Sequence, residues 1–101
     1  MEKYNQSVTV SDPNKVNHNL IKYLGKKSDL YLSNRKDKKY FVINPTTNKK
    51  IHFGSIQYED YTKHHDETRR RKYLRRSSNI HGNWKSDPWS PNNLSIHLLW
   101  Q

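Results

Sequence analysis

Two short runs of β-forming residues, separated by a turn sequence, constrain the fold of this chain more than any other feature. The first run, YFVI, is aromatic and β-branched, and the second run, IHF, resumes an alternating pattern just before Gly54. The sequence NPTTN between them has the composition of a turn. This pattern predicts a β-hairpin with strands at about residues 38–44 and 49–54.

The alternation of side chains along a strand assigns the faces of this hairpin. Tyr40 and Val42 point to one face, and Phe41 and Ile43 point to the other. Phe53 in the second strand shares a face with one of these pairs, and the alternation alone leaves open which pair it is. We expect Phe53 to be a core residue.

Shorter elements are predicted on both sides of the hairpin. Residues 19–27 have apolar side chains at near-helical spacing, with a stop signal at Gly25, and residues 29–34 alternate as a short strand does. Near the C-terminus, Ser90 followed by Pro91 is typical of a helix start.

The composition limits the size of the core, because only 31% of the residues are apolar. Seven Tyr, three Trp and two Phe partly compensate, since each large ring buries roughly 150–250 Å². We therefore expect an α+β fold, in which a small antiparallel hairpin or sheet packs with one or two short helices around an aromatic-rich core. Residues 1–28 are predicted to be a polar N-terminal arm with a possible short helix, and residues 29–101 a single small α+β domain.

The stretch HHDETRRRKYLRR, which begins at His64, predicts a helix over about residues 66–77. Asp66 suits the N-cap, and Glu67 lies in the first turn, where the helix dipole favours an acid. Arg75 and Arg76 lie near the other end, where the dipole favours a base. The order of charges along the segment is therefore that of a helix.

Most of the circumference of this predicted helix is cationic. Tyr73 and Leu74 are expected to face the core, with the aliphatic stem of Arg70 beside them. Almost no acid follows Glu67, in a chain with 19 basic and 9 acidic side chains and a net charge of +10. The side chains expected to contact phosphates are Arg69, Arg70, Arg71, Lys72, Arg75 and Arg76, and the lysines beside the hairpin that would extend this surface are Lys38, Lys39, Lys49 and Lys50.

Nucleic acid, and DNA in particular, is the expected partner of such a surface. Backbone contacts with little sequence preference are predicted, because no zinc-finger, homeodomain or RNA-recognition signature is present. An acidic protein surface or an anionic membrane surface would also attract the charge. Trp84 and Trp89 suit either base stacking or a role as packing anchors.

No small-molecule substrate is expected, and no apolar run approaches the ~20 residues of a membrane span. The N-terminal sequence lacks the apolar segment of a signal peptide, which favours a soluble protein made in the cytosol.

Several histidines and acids invite a metal or catalytic interpretation. Imidazole and carboxylate groups are metal ligands, and the candidate side chains are His52, His64, His65, Asp66 and His81. They form no HxH or HExxH pattern, and the chain has no cysteine. We therefore expect no metal, no cofactor and no enzymatic activity, with a metal-dependent nuclease as the competing interpretation.

The order of motifs in the second half of the chain resembles a small basic protein family of unknown function from nucleocytoplasmic large DNA viruses, the giant viruses. The matching features are HFG at residues 52–54, DYT at residues 60–62, His64, Asp66 and a basic helix around Tyr73, followed by a Pro/Ser/Asn turn and a Leu-Trp ending. We interpret the DYTxHxD segment as a structural clasp that holds the hairpin to the helix.

This resemblance covers roughly residues 38–101. It implies a viral context, with the protein in the virion and, during assembly, in the host cytoplasm, and it implies no catalytic residues. The expected function is a virion-associated basic protein that binds nucleic acid non-specifically. The alternative is a minor capsid or structural protein that docks on acidic surfaces of neighbouring viral proteins.

Overall fold

A three-stranded antiparallel sheet forms the centre of the part of the protein that the computed structural model describes, residues 10–101. Its strands are β1 (Tyr31–Leu32), β2 (Lys38–Asn44) and β3 (Lys49–Ser55), in the spatial order β1-β2-β3. The predicted hairpin is confirmed to within one residue, and β1 lies inside the segment predicted as a short strand.

The register of the hairpin resolves which face is buried. Tyr40 pairs with Phe53 and Val42 pairs with Ile51, so Phe53 lies on the same face as Tyr40 and Val42. All three of these side chains are buried. The turn closes through Asn48, whose φ of 59° is the left-handed conformation that Asn tolerates better than most residues.

Four α-helices accompany the sheet within residues 10–101, so the α+β prediction is confirmed with more helices than expected. They are α1 (Pro13–Leu24), α2 (Tyr61–His64), α3 (Glu67–Ser78) and α4 (Pro91–Leu94). Short 3₁₀ turns occur at Gly25–Lys27 and Trp84–Ser86, and α4 continues into a π-helical turn, Ser95–Leu99.

Helix α1 lies in the range predicted as a polar arm, and it packs against the core. The carboxylate of Asp12 caps its start, and Gly25, with a φ of 70°, ends it as the sequence predicts. Val16, Leu20 and Leu24 are spaced by four and are all buried, which is the pattern of a helix with one apolar stripe. The preceding residues 1–9 of the predicted arm lie outside the described residues.

The core is mostly aliphatic, so the expectation of an aromatic-rich core is not supported. Its buried hydrophobic residues are Val16, Leu20, Leu24, Tyr40, Val42, Phe53, Leu94, Leu98 and Leu99. Most other rings that touch the core, such as those of Tyr23, Trp89 and Trp100, are only partly buried and lie at its edge. The helices supply leucine and valine stripes to the centre, which leaves the larger rings at the periphery.

No helix in the described residues 10–101 has the length and apolar character needed to cross a membrane.

Candidate nucleic-acid interface

Helix α3 starts and ends as its sequence predicts. The carboxylate of Asp66 accepts hydrogen bonds from the amides of Thr68 (3.0 Å) and Arg69 (3.1 Å). His65, with a φ of 54°, makes the sharp change of direction between α2 and α3. At the other end, the amide of Asn79 donates to the Arg76 carbonyl.

The narrow inner side of α3 packs against the C-terminus of the chain. The rings of Tyr73 and Trp100 stack with centroids 4.1 Å apart and planes 9° apart. Tyr73 and Leu74 are both half-buried, as expected for the apolar side of this helix. Trp100 therefore fixes the position of α3 against the rest of the fold.

The outer side of α3 carries exposed positive charge. We call its exposed basic residues the cationic face: Arg69, Arg71, Lys72, Arg75 and Arg76. Glu67 compensates one of them, because its carboxylate lies 3.7 Å from Nε of Arg71, whose side chain is 77% exposed. Among the described residues, no carboxylate lies within 4.0 Å of the cationic groups of the other four.

Arg70 is a structural residue, although the sequence places it in the same basic run. Its Nε donates to the Trp100 carbonyl at 2.9 Å, and its NH1 lies 3.1 Å from the carboxylate of Glu67. Its guanidinium also lies over the ring of Tyr61, at 5.5 Å from the centroid. These contacts give Arg70 a structural role and leave its side chain 25% exposed, so it is less available to a phosphate than the exposed cations of α3.

Lys39 is buried, and its prediction as a surface contact is wrong. Its side chain is 2% exposed, and its Nζ lies 2.9 Å from the equally buried carboxylate of Asp60. Lys39 points to the sheet face opposite Tyr40, and the segment that carries Asp60 covers that face at this end of the hairpin. Burial lowers the pKa of Lys39, and the attraction of Asp60 offsets only part of that effect.

Asp60 and Thr62 form a clasp, but it joins the hairpin to α2 and to the start of α1 and not to the basic helix as expected. Asp60 Oδ1 accepts hydrogen bonds from both the amide and the hydroxyl of Thr62. The Thr62 hydroxyl oxygen in turn accepts from the amide of Asp12 at 3.0 Å. Together with the Lys39 ion pair, these bonds connect the hairpin, α2 and the start of α1.

The remaining hairpin lysines lie at opposite ends of the sheet. Lys38 is half-buried at the open end, where it lines the same cavity as Arg76. Lys49 and Lys50 are exposed beside the turn, about 20 Å away along the strand at ~3.3 Å per residue. The structure therefore brings Lys38, and not the lysines at the turn, to the cationic face.

Gly54 permits the close packing at the open end of the hairpin. Its φ is 79°, and a Cβ at this position would lie 2.8 Å from Cδ1 of Leu99. Any side chain would therefore meet both backbone strain and a steric clash. The absence of a side chain at Gly54 therefore lets Leu99 approach β3 this closely.

A cavity of about 220 Å³ lies between this end of the hairpin and α3. Its polar and aromatic lining includes Lys38, Lys39, Tyr58, Glu59, Tyr73, Arg76 and Trp100. Sequence reasoning missed Tyr58 and Glu59, because no local pattern shows that a loop after β3 meets the last turn of a helix.

The candidate metal ligands remain separate in the structure. Within residues 10–101, no group of three His, Cys, Asp or Glu side chains is arranged to hold a metal ion. His64 accepts a hydrogen bond at Nδ1 from the amide of Asp66, and His52 bonds through Nδ1 to the hydroxyl of Ser33. The His64 contact is a local bond that joins the end of α2 to the start of α3.

Trp84 and Trp89 anchor the C-terminal segment. Nε1 of Trp84 donates to the Ile80 carbonyl at 2.8 Å, and Trp89 is partly buried against the core. These contacts support the packing role for both rings over the base-stacking role.

The chain shares part of its sequence with a protein family. No curated protein and no solved structure matches the chain. Residues 28–77 match the profile of a family of unknown function, DUF5754. The sheet, the clasp and almost all of α3 therefore lie in a segment that matches an uncharacterised protein family.

Proposed function

We propose that the protein binds nucleic acid non-specifically through the cationic face of α3. The observation that carries this proposal is that four of its exposed cations, Arg69, Lys72, Arg75 and Arg76, have no carboxylate partner among the described residues. Ordinary surface helices mix charges of both signs, and cations clustered on one face attract a polyanion.

The spacing of these cations suits consecutive phosphates. Arg69, Lys72 and Arg76 are separated by three and four residues, so they share one side of the helix. At 1.5 Å per residue they extend over about 10 Å of the helix axis, which is the rise of about three phosphates along one DNA strand. Contacts of this kind position a protein on the backbone without reading the base sequence.

The biological context in this proposal comes from the motif resemblance. The HFG, DYT and basic-helix order is similar to that of giant-virus proteins, which supports a virion-associated protein present in the host cytoplasm during assembly. In that setting, a backbone-binding surface would contact packaged DNA.

Charge reversal on α3 tests the proposal. We expect the triple variant Arg69→Glu/Lys72→Glu/Arg76→Glu to lose binding to a duplex oligonucleotide in a fluorescence anisotropy titration, because repulsion replaces three phosphate contacts. The matched control is Lys15→Glu/Lys22→Glu/Lys26→Glu, which makes the same number of reversals at exposed positions in and just after α1. Circular dichroism checks that both variants fold.

Salt dependence gives a second measure of the same binding mode. Four phosphate contacts predict that log K falls by about 3.6 per tenfold increase in salt, at ~0.9 per phosphate. Duplex binding that survives the α3 reversals, or that is insensitive to salt between about 0.05 and 0.2 M, contradicts the proposal. Absence of any binding to nucleic acid would favour an acidic protein surface as the partner.

A further inference from the structure

The cavity beside the cationic face has an exposed aromatic ring at its edge. Tyr58 lines this cavity and is 65% exposed. Among residues 10–101, no other large hydrophobic side chain is exposed to this extent. Its ring makes no ring–ring or cation–π contact with any other residue in the range 10–101. A solvent-facing ring next to cations is the combination on which single-strand-binding proteins stack bases.

Two other rings of the cavity lining are already held in place. Trp100 and Tyr73 line the cavity as a stacked pair, and the guanidinium of Arg76 lies 5.9 Å from the centroid of the Tyr73 ring. Because α3 and the C-terminal segment hold these rings in place, this part of the cavity is already formed before a ligand binds. Preformed walls lower the entropy cost of binding.

The hydrogen-bonding groups that line the cavity suit a base. Lys38 and Arg76 supply donors and Glu59 supplies an acceptor, while Lys39, which also lines the cavity, is already paired with Asp60. A phosphodiester carries no hydrogen-bond donor for the Glu59 carboxylate. A nucleobase is neutral, and its exocyclic amino group donates hydrogen bonds to a carboxylate. Phosphates on either side of that base would remain on the exposed cations of α3.

We propose that this cavity takes one unpaired nucleobase and that the protein therefore prefers single-stranded nucleic acid to duplex. This inference rests on the proposed function, because the cationic face holds the adjoining phosphates. The volume of about 220 Å³ is below the ~300 Å³ of the smallest drug-sized pockets, which suits a single ring system. A base in a duplex enters only after it is unstacked, which costs free energy and so favours the single strand.

Substitution of Tyr58 tests this assignment. Anisotropy titrations would use a single-stranded oligonucleotide, a strand of the same length that is abasic throughout, and the corresponding duplex. We expect Tyr58→Ala to weaken single-strand binding about 10-fold, the loss typical of one stacked base, and to leave duplex and abasic-strand binding unchanged. Tyr58→Phe should retain single-strand affinity, because it keeps the ring. Tyr31→Ala is the control, since Tyr31 is another exposed tyrosine, in β1.

Two outcomes overturn the inference while leaving the proposed function intact. One is equal affinity of the wild-type protein for the base-containing and abasic strands, which would show that the cavity takes no base. The other is an unchanged single-strand affinity of Tyr58→Ala when the α3 reversals still abolish binding. If the wild-type protein binds neither strand nor duplex, the proposed function fails as well.

Discussion

At the scale of single residues, His64 shows how one side chain connects α2 to α3. Its Nδ1 accepts a hydrogen bond from the amide of Asp66 at 2.9 Å, and its ring lies 5.3 Å from that of Trp100. Its Nε2 is buried without a hydrogen-bond partner among the described residues. Burial lowers the pKa of His64, the charge of Arg69 lowers it further, and nearby carboxylates act in the opposite direction.

We predict that this histidine makes the folded state less stable in mild acid. Because the pKa of His64 is lower in the folded than in the unfolded chain, the unfolded chain binds more protons as the pH falls below about 6.5. The titration of His64 therefore leaves the free energy of unfolding unchanged above that pH and lowers it as the pH falls further. His97, stacked on Tyr23, adds to this decrease, because burial lowers its pKa too.

Urea titrations on either side of that pH measure the effect. His64→Asn should reduce the loss of stability on acidification, because Asn retains an acceptor for the Asp66 amide and does not titrate. The exposed His18 supplies the control variant, His18→Asn. If His64→Asn loses as much stability on acidification as the wild type does, His64 does not contribute to the pH dependence of stability.

At the scale of elements, α3 depends on its ends and on its contact with Trp100 more than on burial. Ser77 is its only fully buried residue in the structure described here, and its neighbouring cations repel one another. The N-cap by Asp66, the Tyr73–Trp100 stack and the hydrogen bond from Arg70 to the Trp100 carbonyl compensate for that repulsion.

Removal of the N-cap should therefore weaken the helix that carries the proposed interface. We expect Asp66→Ala to lower the free energy of unfolding by about 1 kcal/mol, within a range of ~0.5–2 kcal/mol, and Asp66→Asn to lower it much less. The amides of Thr68 and Arg69 donate hydrogen bonds to the Asp66 carboxylate. Hydrogen exchange at these two amides should therefore accelerate in the Ala variant. Equal exchange rates in the Ala and Asn variants would contradict the capping role.

The outcome for α3 also shows which features of a helix are readable from its sequence. The N-cap, the acid in the first turn and the bases in the last turn act within one or two turns, and all are visible in the order of residues. The docking of Arg70 and Tyr73 on Trp100 involves residues about thirty positions apart. Helical spacing places the stem of Arg70 beside Tyr73 and Leu74, but no local pattern shows that its guanidinium bonds to the Trp100 carbonyl.

At the scale of the whole molecule, a small core holds a highly charged chain together. Nine buried hydrophobic residues in the described part come from α1, β2, β3 and the C-terminal segment. Truncation of one of these side chains is therefore expected to destabilise the packing of all of these elements. The net charge of +10 adds self-repulsion that the core must overcome.

Phe53 is the residue at which this dependence is easiest to measure. Phe53→Ala should cost about 3–5 kcal/mol, because Phe53 is 1% exposed and its removal leaves a cavity. This is a large part of the roughly 5–15 kcal/mol that stabilises a typical domain. Phe41→Ala, on the other sheet face and half-buried, should cost clearly less. Denaturant titrations compare the two, and similar losses would show that the two faces of the sheet contribute equally.

The sequence by itself determined the hairpin, the limits of its strands and the limits of α3. Strand alternation has a period of two, the NPTTN turn closes over a few residues, and caps act on the adjacent turn, so each of these signals is local. It also determined that the basic run is helical.

Only the tertiary structure decided which of these residues face solvent. Lys38 and Lys39 are neighbours in a basic pair, yet Lys39 is buried and paired with Asp60 while Lys38 is only half-buried. The arrangement of Tyr58 beside Arg76 and the packing of α1 against the sheet likewise depend on where separate elements meet. Contacts between separate elements form because apolar faces that are distant in sequence are buried together. A local sequence pattern therefore does not predict them.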